Sequence, residues 1–307
     1  MRTEDAAALL AHPRLTPFLA RVSQLPAEGG PSGADWVDGL ARLIAAQVGE
    51  WDLVIDGEPR TGQTALVLPV RDGQSRAAAL KVLWPHQEAM GEHLALRAWD
   101  GRGAVRLLRA DPGRSVMLLE RLRPTDLTPV WIDEACEIVG GLYRDLHIPA
   151  VPSLPRLSEW AQRQARRFDR TPDLPRRLVA HARSLIAELS ADPACDATLI
   201  HTDLHYENVL DDGTDWVGID PKPMSGHPAF EVAPMLWNRA DELGTGASLR
   251  WSVRRRMEIL CDTGGLVAEE ARDWTIVREV VQAAWASAAG DRDRVSLAVA
   301  LIKAVGD

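Results

Sequence analysis

The hydrophobic period changes partway along this chain of 307 residues, and that change restricts the available folds more than any other feature. Residues 53–55 (LVI), 65–70 (ALVLPV) and 77–83 (AAALKVL) are short apolar runs separated by the polar stretches GEPRTGQ and RDGQSR. Runs of that length between turn formers predict β-strands, and the short gaps predict antiparallel neighbours. A helix is expected over about 86–99, where PHQEAMGEHLALRAW opens at a proline and closes before DGRG. AVRLLRAD and SVMLLERL predict two further strands, ending near Leu122. The order strand, strand, strand, helix, strand, strand describes a small five-stranded antiparallel sheet with one helix. From about residue 131 the period becomes helical, in WIDEACEIVGGLYRDLH, LSEWAQRQARRF and PRRLVAHARSLIAEL. The fold class is α+β: a sheet lobe at 53–122 and a larger, mainly helical lobe at 123–307. Residues 1–52 read as a helical extension, in which Trp36, Leu40, Leu43, Ile44 and Val48 form one helix face with Asp35 as candidate cap.

Composition narrows the partners. The 35 basic and 44 acidic residues leave a net charge of −9, which argues against nucleic-acid binding, since neutralising phosphates needs a basic face. Cys136, Cys195 and Cys261 lie far apart, an odd set without metal or disulfide spacing, as expected of a reducing cytoplasm. The acidic N-terminal stretch does not read as a signal peptide, and no apolar run suggests a membrane partner. Of the basic residues only Lys81, Lys222 and Lys303 are lysines. In so arginine-rich a chain, a lysine that persists raises the question whether arginine would fail there.

One extended stretch interrupts the helical half: ATLIHTDLHYENVL, the turn DDGTD, then WVGID. It contains His201, Asp203 and Asn208 as H-x-D-x-x-x-x-N, and its second strand ends in Asp220. That is a phosphoryl-transfer pattern, in which one Asp accepts a hydroxyl proton while Asn and a second Asp hold Mg²⁺ against nucleotide phosphates. A strand, a turn and a returning strand bring Asp220 back beside Asn208, and two carboxylates with an amide oxygen are hard ligands suited to Mg²⁺.

The segments LIHTDLHYENVL, VGIDPKP and FEVAPMLWNR resemble those of the bacterial aminoglycoside and hydroxyurea antibiotic-resistance kinases. The resemblance runs upstream through AALKVLWPHQEAMGEHLALRAWDGRGAVRLL and MLLERL, covering about residues 55–240. It implies a bilobal protein-kinase-like fold, ATP and Mg²⁺ as cofactors, a hydroxyl-bearing small-molecule acceptor, and a cytoplasmic monomer or weak dimer. It places Lys81 on the nucleotide α/β-phosphates and a helix carboxylate beside it, Glu92 preferred to Glu88. Gly62 falls in a loop over the phosphates, and backbone groups of Glu120 and Leu122 face the adenine. Asp203 becomes the catalytic base, Asn208 and Asp220 the metal ligands, and Glu231 a structural acid. Lys222 either meets phosphate charge or braces the loop. The family's usual Gly-Asp-Pro is here Gly226-His227-Pro228, which puts the acceptor preference in question. Streptomycin is the leading acceptor, its guanidinium groups met by acids such as Asp241 and Glu242, and hydroxyurea is the alternative. A different class, a metal-dependent hydrolase using His201, Asp203 and His205, leaves Lys81 and Asp220 unexplained.

Overall fold

A computed structural model describes residues 1–168 and 174–306, in two compact units. The first comprises Met1–Gly101 and Val105–Arg123; the second comprises Arg102–Ala104 and the chain from Pro124 onward.

The first unit opens with α1 (Thr3–Leu10), α2 (Thr16–Val22) and α3 (Gly33–Glu50). The cap of α3 is Ser32, one turn before the expected Asp35. Its Oγ accepts the Asp35 N–H at 3.2 Å and donates to the Asp35 carboxylate at 2.6 Å, so Asp35 serves as the third helical residue. The sheet holds β1 (Val54–Ile55), β2 (Arg60–Thr61), β3 (Ala65–Arg71), β4 (Ala77–Leu83), β5 (Leu107–Asp111) and β6 (Val116–Glu120). Every pairing is antiparallel, in the order β1-β3-β4-β6-β5 with β2 also on β3. The sheet is therefore six-stranded rather than five-stranded. The extra strand escapes a reading of apolar runs because Arg60 and Thr61 are polar and exposed. Between β4 and β5 lies α4 (Glu92–Trp99), which starts later than expected because Gly91 takes the N-cap position and turns occupy the preceding residues.

Alternation along β3, β4 and β6 sends Leu66, Leu68, Val70, Leu80, Val82 and Leu118 to one face. There they join Phe18, Val22, Trp36, Leu40 and Ile44 in a single apolar cluster, so the first 50 residues, read from sequence as an extension, share the sheet's core. Lys81 points to the opposite face, flanked by Val67 on β3 and Met117 on β6.

The second unit is built on α5 (Ile132–Leu146), α6 (Leu157–Arg167), α7 (Arg176–Leu189), α8 (Ala233–Trp237), α9 (Ala247–Gly264), α10 (Ala268–Ala289) and α11 (Arg292–Gly306). Gly140 lets α5 approach α9 closely, since a Cβ there would lie 2.8 Å from the Thr263 side chain. Among these helices, β7 (Ile148–Pro149), β8 (Thr198–Ile200) and β11 (Met224–Gly226) pair in the order β11-β8-β7, while β9 (Val209–Asp211) and β10 (Trp216–Gly218) form a hairpin. The chain between β8 and β9, and that between β10 and β11, carry the residues singled out above. Among the described residues no helix is long and apolar enough to cross a membrane.

Candidate active site

In the first unit, Lys81 Nζ lies 2.6 Å from Glu92 Oε1, with both residues almost completely buried. Two opposite charges out of water compensate each other only in such close contact. Glu88, the competing carboxylate, is exposed in the turns before α4. Gly62 sits where β2 turns into β3: its N–H donates to the Ala65 carbonyl at 2.9 Å, and its own carbonyl accepts from Arg21 Nη2 at 3.0 Å. Arg21, on α2, also bonds the Gln63 carbonyl at 3.1 Å, a contact with no local sequence signal. Glu120 ends β6 with its N–H on the Arg106 carbonyl at 3.0 Å and its carboxylate accepting the Arg106 N–H at 2.6 Å. Leu122 follows, half-buried.

In the second unit, β8 delivers the chain into His201, which is fully buried. Its Nδ1 accepts the Asp203 N–H at 3.3 Å, so Nε2 carries the proton and donates to the Ile219 carbonyl at 3.0 Å. Burial pushes the His201 pKa down to about 4, and both ring nitrogens are engaged. Those contacts occupy both His201 ring nitrogens, and among the described residues no group of three or more His, Cys, Asp and Glu is placed to hold a metal ion.

Thr202 follows in the left-handed region, φ +65°, where a β-branched residue is strained. Four contacts hold it or its neighbour there. Glu231 accepts the N–H groups of both His201 and Thr202, the latter at 3.1 Å. Arg278 Nη2 donates to the Thr202 carbonyl at 2.9 Å, and Thr202 Oγ1 donates to the Lys222 carbonyl at 2.7 Å. The Tyr143 hydroxyl in turn donates to the Glu231 carbonyl at 3.0 Å. Burial raises the Glu231 pKa to about 7 against the lowering effect of those N–H groups and Arg278. Glu231 thus fits the structural part read for it, whereas Arg278, on α10 far along the chain, gave no sequence signal.

Asp203 emerges from this framework with its Oδ2 2.5 Å from Lys222 Nζ. Asn208 Nδ2 donates to the Asp203 carbonyl at 2.9 Å and to His205 Nε2 at 3.1 Å. Those two acceptors fix the amide orientation, so Oδ1 is the Asn208 atom that remains for a cation. The Ile219 N–H donates to the Asn208 carbonyl at 2.8 Å, extending the β9–β10 ladder by one residue and setting Asp220, at φ +56°, next to Asn208. Asp203, Asn208 and Asp220 are therefore brought together on one loop and one hairpin.

His227 is a turn cap: its Nδ1 accepts the Ala229 N–H at 3.2 Å, the bond an aspartate in that position would make. The exchange of Asp for His thus preserves a local structural function. Glu242, considered above as a counter-charge for an acceptor, is engaged bidentately by Arg239 at 2.6 and 2.8 Å, while Asp241 is exposed.

Comparison with known proteins identifies the fold and the family. A thermostable mutant of the aminoglycoside phosphotransferase APH(4)-Ia, in ternary complex with AMP-PNP and hygromycin B, superposes with a TM-score of 0.54 at 15% identity, over 87% of this chain and 97% of that one. The fold is that of the protein-kinase-like phosphotransferases. Residues 50–290 match the aminoglycoside/hydroxyurea antibiotic resistance kinase family, and the chain belongs to it. It is 37% identical to a streptomycin 6-kinase from Streptomyces griseus, over 84% of this chain and 86% of that one. It is 38% identical to a hydroxyurea phosphotransferase from Kitasatospora aureofaciens, over 86% and 80% respectively.

Proposed function

We infer that this chain is an ATP- and Mg²⁺-dependent phosphotransferase that moves the γ-phosphate to a hydroxyl group of an aminoglycoside, streptomycin first among them. The observation that carries the reading is the meeting of Asp203, Asn208 and Asp220 on one loop and hairpin, with the Asn208 amide bonded to the Asp203 carbonyl. Membership of a kinase family supports the reaction class, and the streptomycin 6-kinase relative supports the acceptor. The AMP-PNP bound by the structural relative supports a nucleoside triphosphate as donor.

In this reading Asp203 accepts the acceptor's hydroxyl proton and aims its oxygen at the γ-phosphorus. Asn208 Oδ1 and the Asp220 carboxylate are hard oxygen donors that fit Mg²⁺, which when bound offsets phosphate charge. Lys81, held by Glu92, donates to the α/β-phosphates, and the loop at Gly62 covers them. At Glu120 the carbonyl serves the adenine, because its N–H is already bonded to Arg106, and Leu122 supplies the neighbouring backbone contact. The buried, unpaired thiols of Cys136, Cys195 and Cys261 support a cytoplasmic setting.

The test is an ADP-release assay with MgATP against streptomycin, hydroxyurea and a kanamycin-type aminoglycoside, with mass spectrometry of the products. Addition of one phosphate to streptomycin is the expected result. Addition to hydroxyurea alone moves the acceptor to that of the second relative. Absence of both MgATP binding and turnover rules the reading out.

A further inference from the structure

We propose that Lys222 is a further catalytic residue, one that binds the γ-phosphoryl group beside Asp203; the inference rests on the phosphotransferase reading above. Its ammonium nitrogen lies 2.5 Å from Asp203 Oδ2. A hydroxyl bonded to that carboxylate sits about 2.7 Å from it, so a group attached to the hydroxyl oxygen comes within reach of the same ammonium. In the step concerned, the acceptor oxygen bonds to the γ-phosphorus and the bond from that phosphorus to the β,γ-bridging oxygen breaks. The electron pair leaves on ADP and the hydroxyl proton passes to Asp203. A cation fixed at this position stabilises charge on the transferring group.

The backbone is built to fix it. Lys222 stands between Pro221 and Pro223, whose rings limit both their own φ angles and the conformation of the residue before each. Its N–H donates to the His201 carbonyl at 3.0 Å, and its carbonyl accepts from Thr202 Oγ1 at 2.7 Å. Thr202, at a strained φ of +65°, is bonded from three directions by Glu231, Arg278 and Lys222. Strain that the surroundings over-determine belongs to positions where geometry matters for chemistry.

A loop brace alone does not account for this construction. The Lys222 side chain keeps 39% of its exposure, and an ion pair that open to solvent adds little stability. Nor does it account for the residue type in a chain with three lysines among 35 cations. Arginine's planar fork suits bidentate bracing, whereas an ammonium carries three donors on a compact centre and can hold a carboxylate oxygen and a phosphoryl oxygen together.

The decisive measurement is the affinity of the full chain for ADP and for a β,γ-imido ATP analogue, by calorimetry with Mg²⁺, in wild type and Lys222→Met. Loss of a charge-assisted bond to the γ-phosphate weakens the analogue roughly tenfold and leaves ADP within about twofold. Single-turnover phosphorylation falls by about a hundredfold in the same variant. Equal affinities for the analogue in variant and wild type, or equal losses for both nucleotides, overturn the assignment and leave Lys222 a brace. If Lys222→Met does not fold, Lys222→Gln, whose amide still reaches Asp203 without the charge, carries the same comparison. A wild-type chain that binds neither nucleotide sinks the phosphotransferase reading itself, whereas an unchanged preference in a chain that binds both sinks only the role of Lys222.

Discussion

Asp203 has its backbone N–H on His201 Nδ1, its carbonyl on the Asn208 amide and its carboxylate on Lys222, so little but the carboxylate itself changes when it is truncated. If Asp203 is the base of the proposed mechanism, Asp203→Ala should lower kcat by about a thousandfold while MgATP affinity moves by no more than a few-fold, since a base acts on the acceptor hydroxyl rather than on the nucleotide. Steady-state kinetics with calorimetry checks this, and unchanged turnover removes Asp203 from the chemistry. Asp220→Ala should instead abolish the Mg²⁺-dependent part of nucleotide binding, read by titrating ATP with and without the metal; normal MgATP affinity rejects it as a ligand. This trio was legible in the sequence because all three residues fall within 18 positions of one strand, turn and strand. Lys81 stood out as one of three lysines in an arginine-rich chain, and the family resemblance already favoured Glu92 over Glu88; the structure shows Glu92 as the carboxylate 2.6 Å from Lys81. The supports were not legible: Thr202 gives no sign of its left-handed φ, and Arg278 reaches the loop from α10 across 76 positions.

At the scale of elements, the N-terminal helices do more than cover the sheet. Helix α2 sends Arg21 to both carbonyls of the Gly62–Gln63 turn at 3.0 and 3.1 Å, while its guanidinium lies 5.8 Å from the centroid of the buried Phe18 ring. A loop clamped at its tip loses less freedom when it closes on phosphates, and that saving appears in binding. Arg21→Ala should raise the KM for ATP by about threefold with a smaller change in kcat, an effect consistent with losing exposed hydrogen bonds. An unchanged KM would mean that the turn does not serve the nucleotide. Apolar runs announced β3, β4 and β6, and a helical period announced α3, α5, α6 and α7. The two-residue strands β2 and β7 and the three-residue β11 exist through pairing with neighbours rather than through any period of their own, which is why the sequence concealed them.

Across the whole molecule, burial displaces the pKa values of several groups far enough to make stability depend on pH. Burial raises Glu231 and Glu279 to about 7 and lowers His147 and His201 to about 4. For the acids the fold keeps a proton that the unfolded chain releases above about 4.5, so their contribution is complete below that pH and is lost as pH rises through about 7. For the histidines the fold stays neutral where the unfolded chain is protonated, so their contribution is complete above about 6.5 and is lost as pH falls through about 4. The two trends oppose each other in the interval between, and a single substitution separates them. Glu279 is the cleaner choice: it belongs to α10, and its Oε2 accepts from Arg294 at 3.0 Å. Burial outweighs the lowering effect of Arg294 and Arg278 on it. Removing its titration with Glu279→Gln should make the variant gain on wild type between pH 5 and pH 8 by about 3 °C or more in Tm, whatever its standing at pH 5. Thermal unfolding of the two proteins across that range reads the difference directly, and parallel curves would show that Glu279 is already ionised in the fold at pH 5.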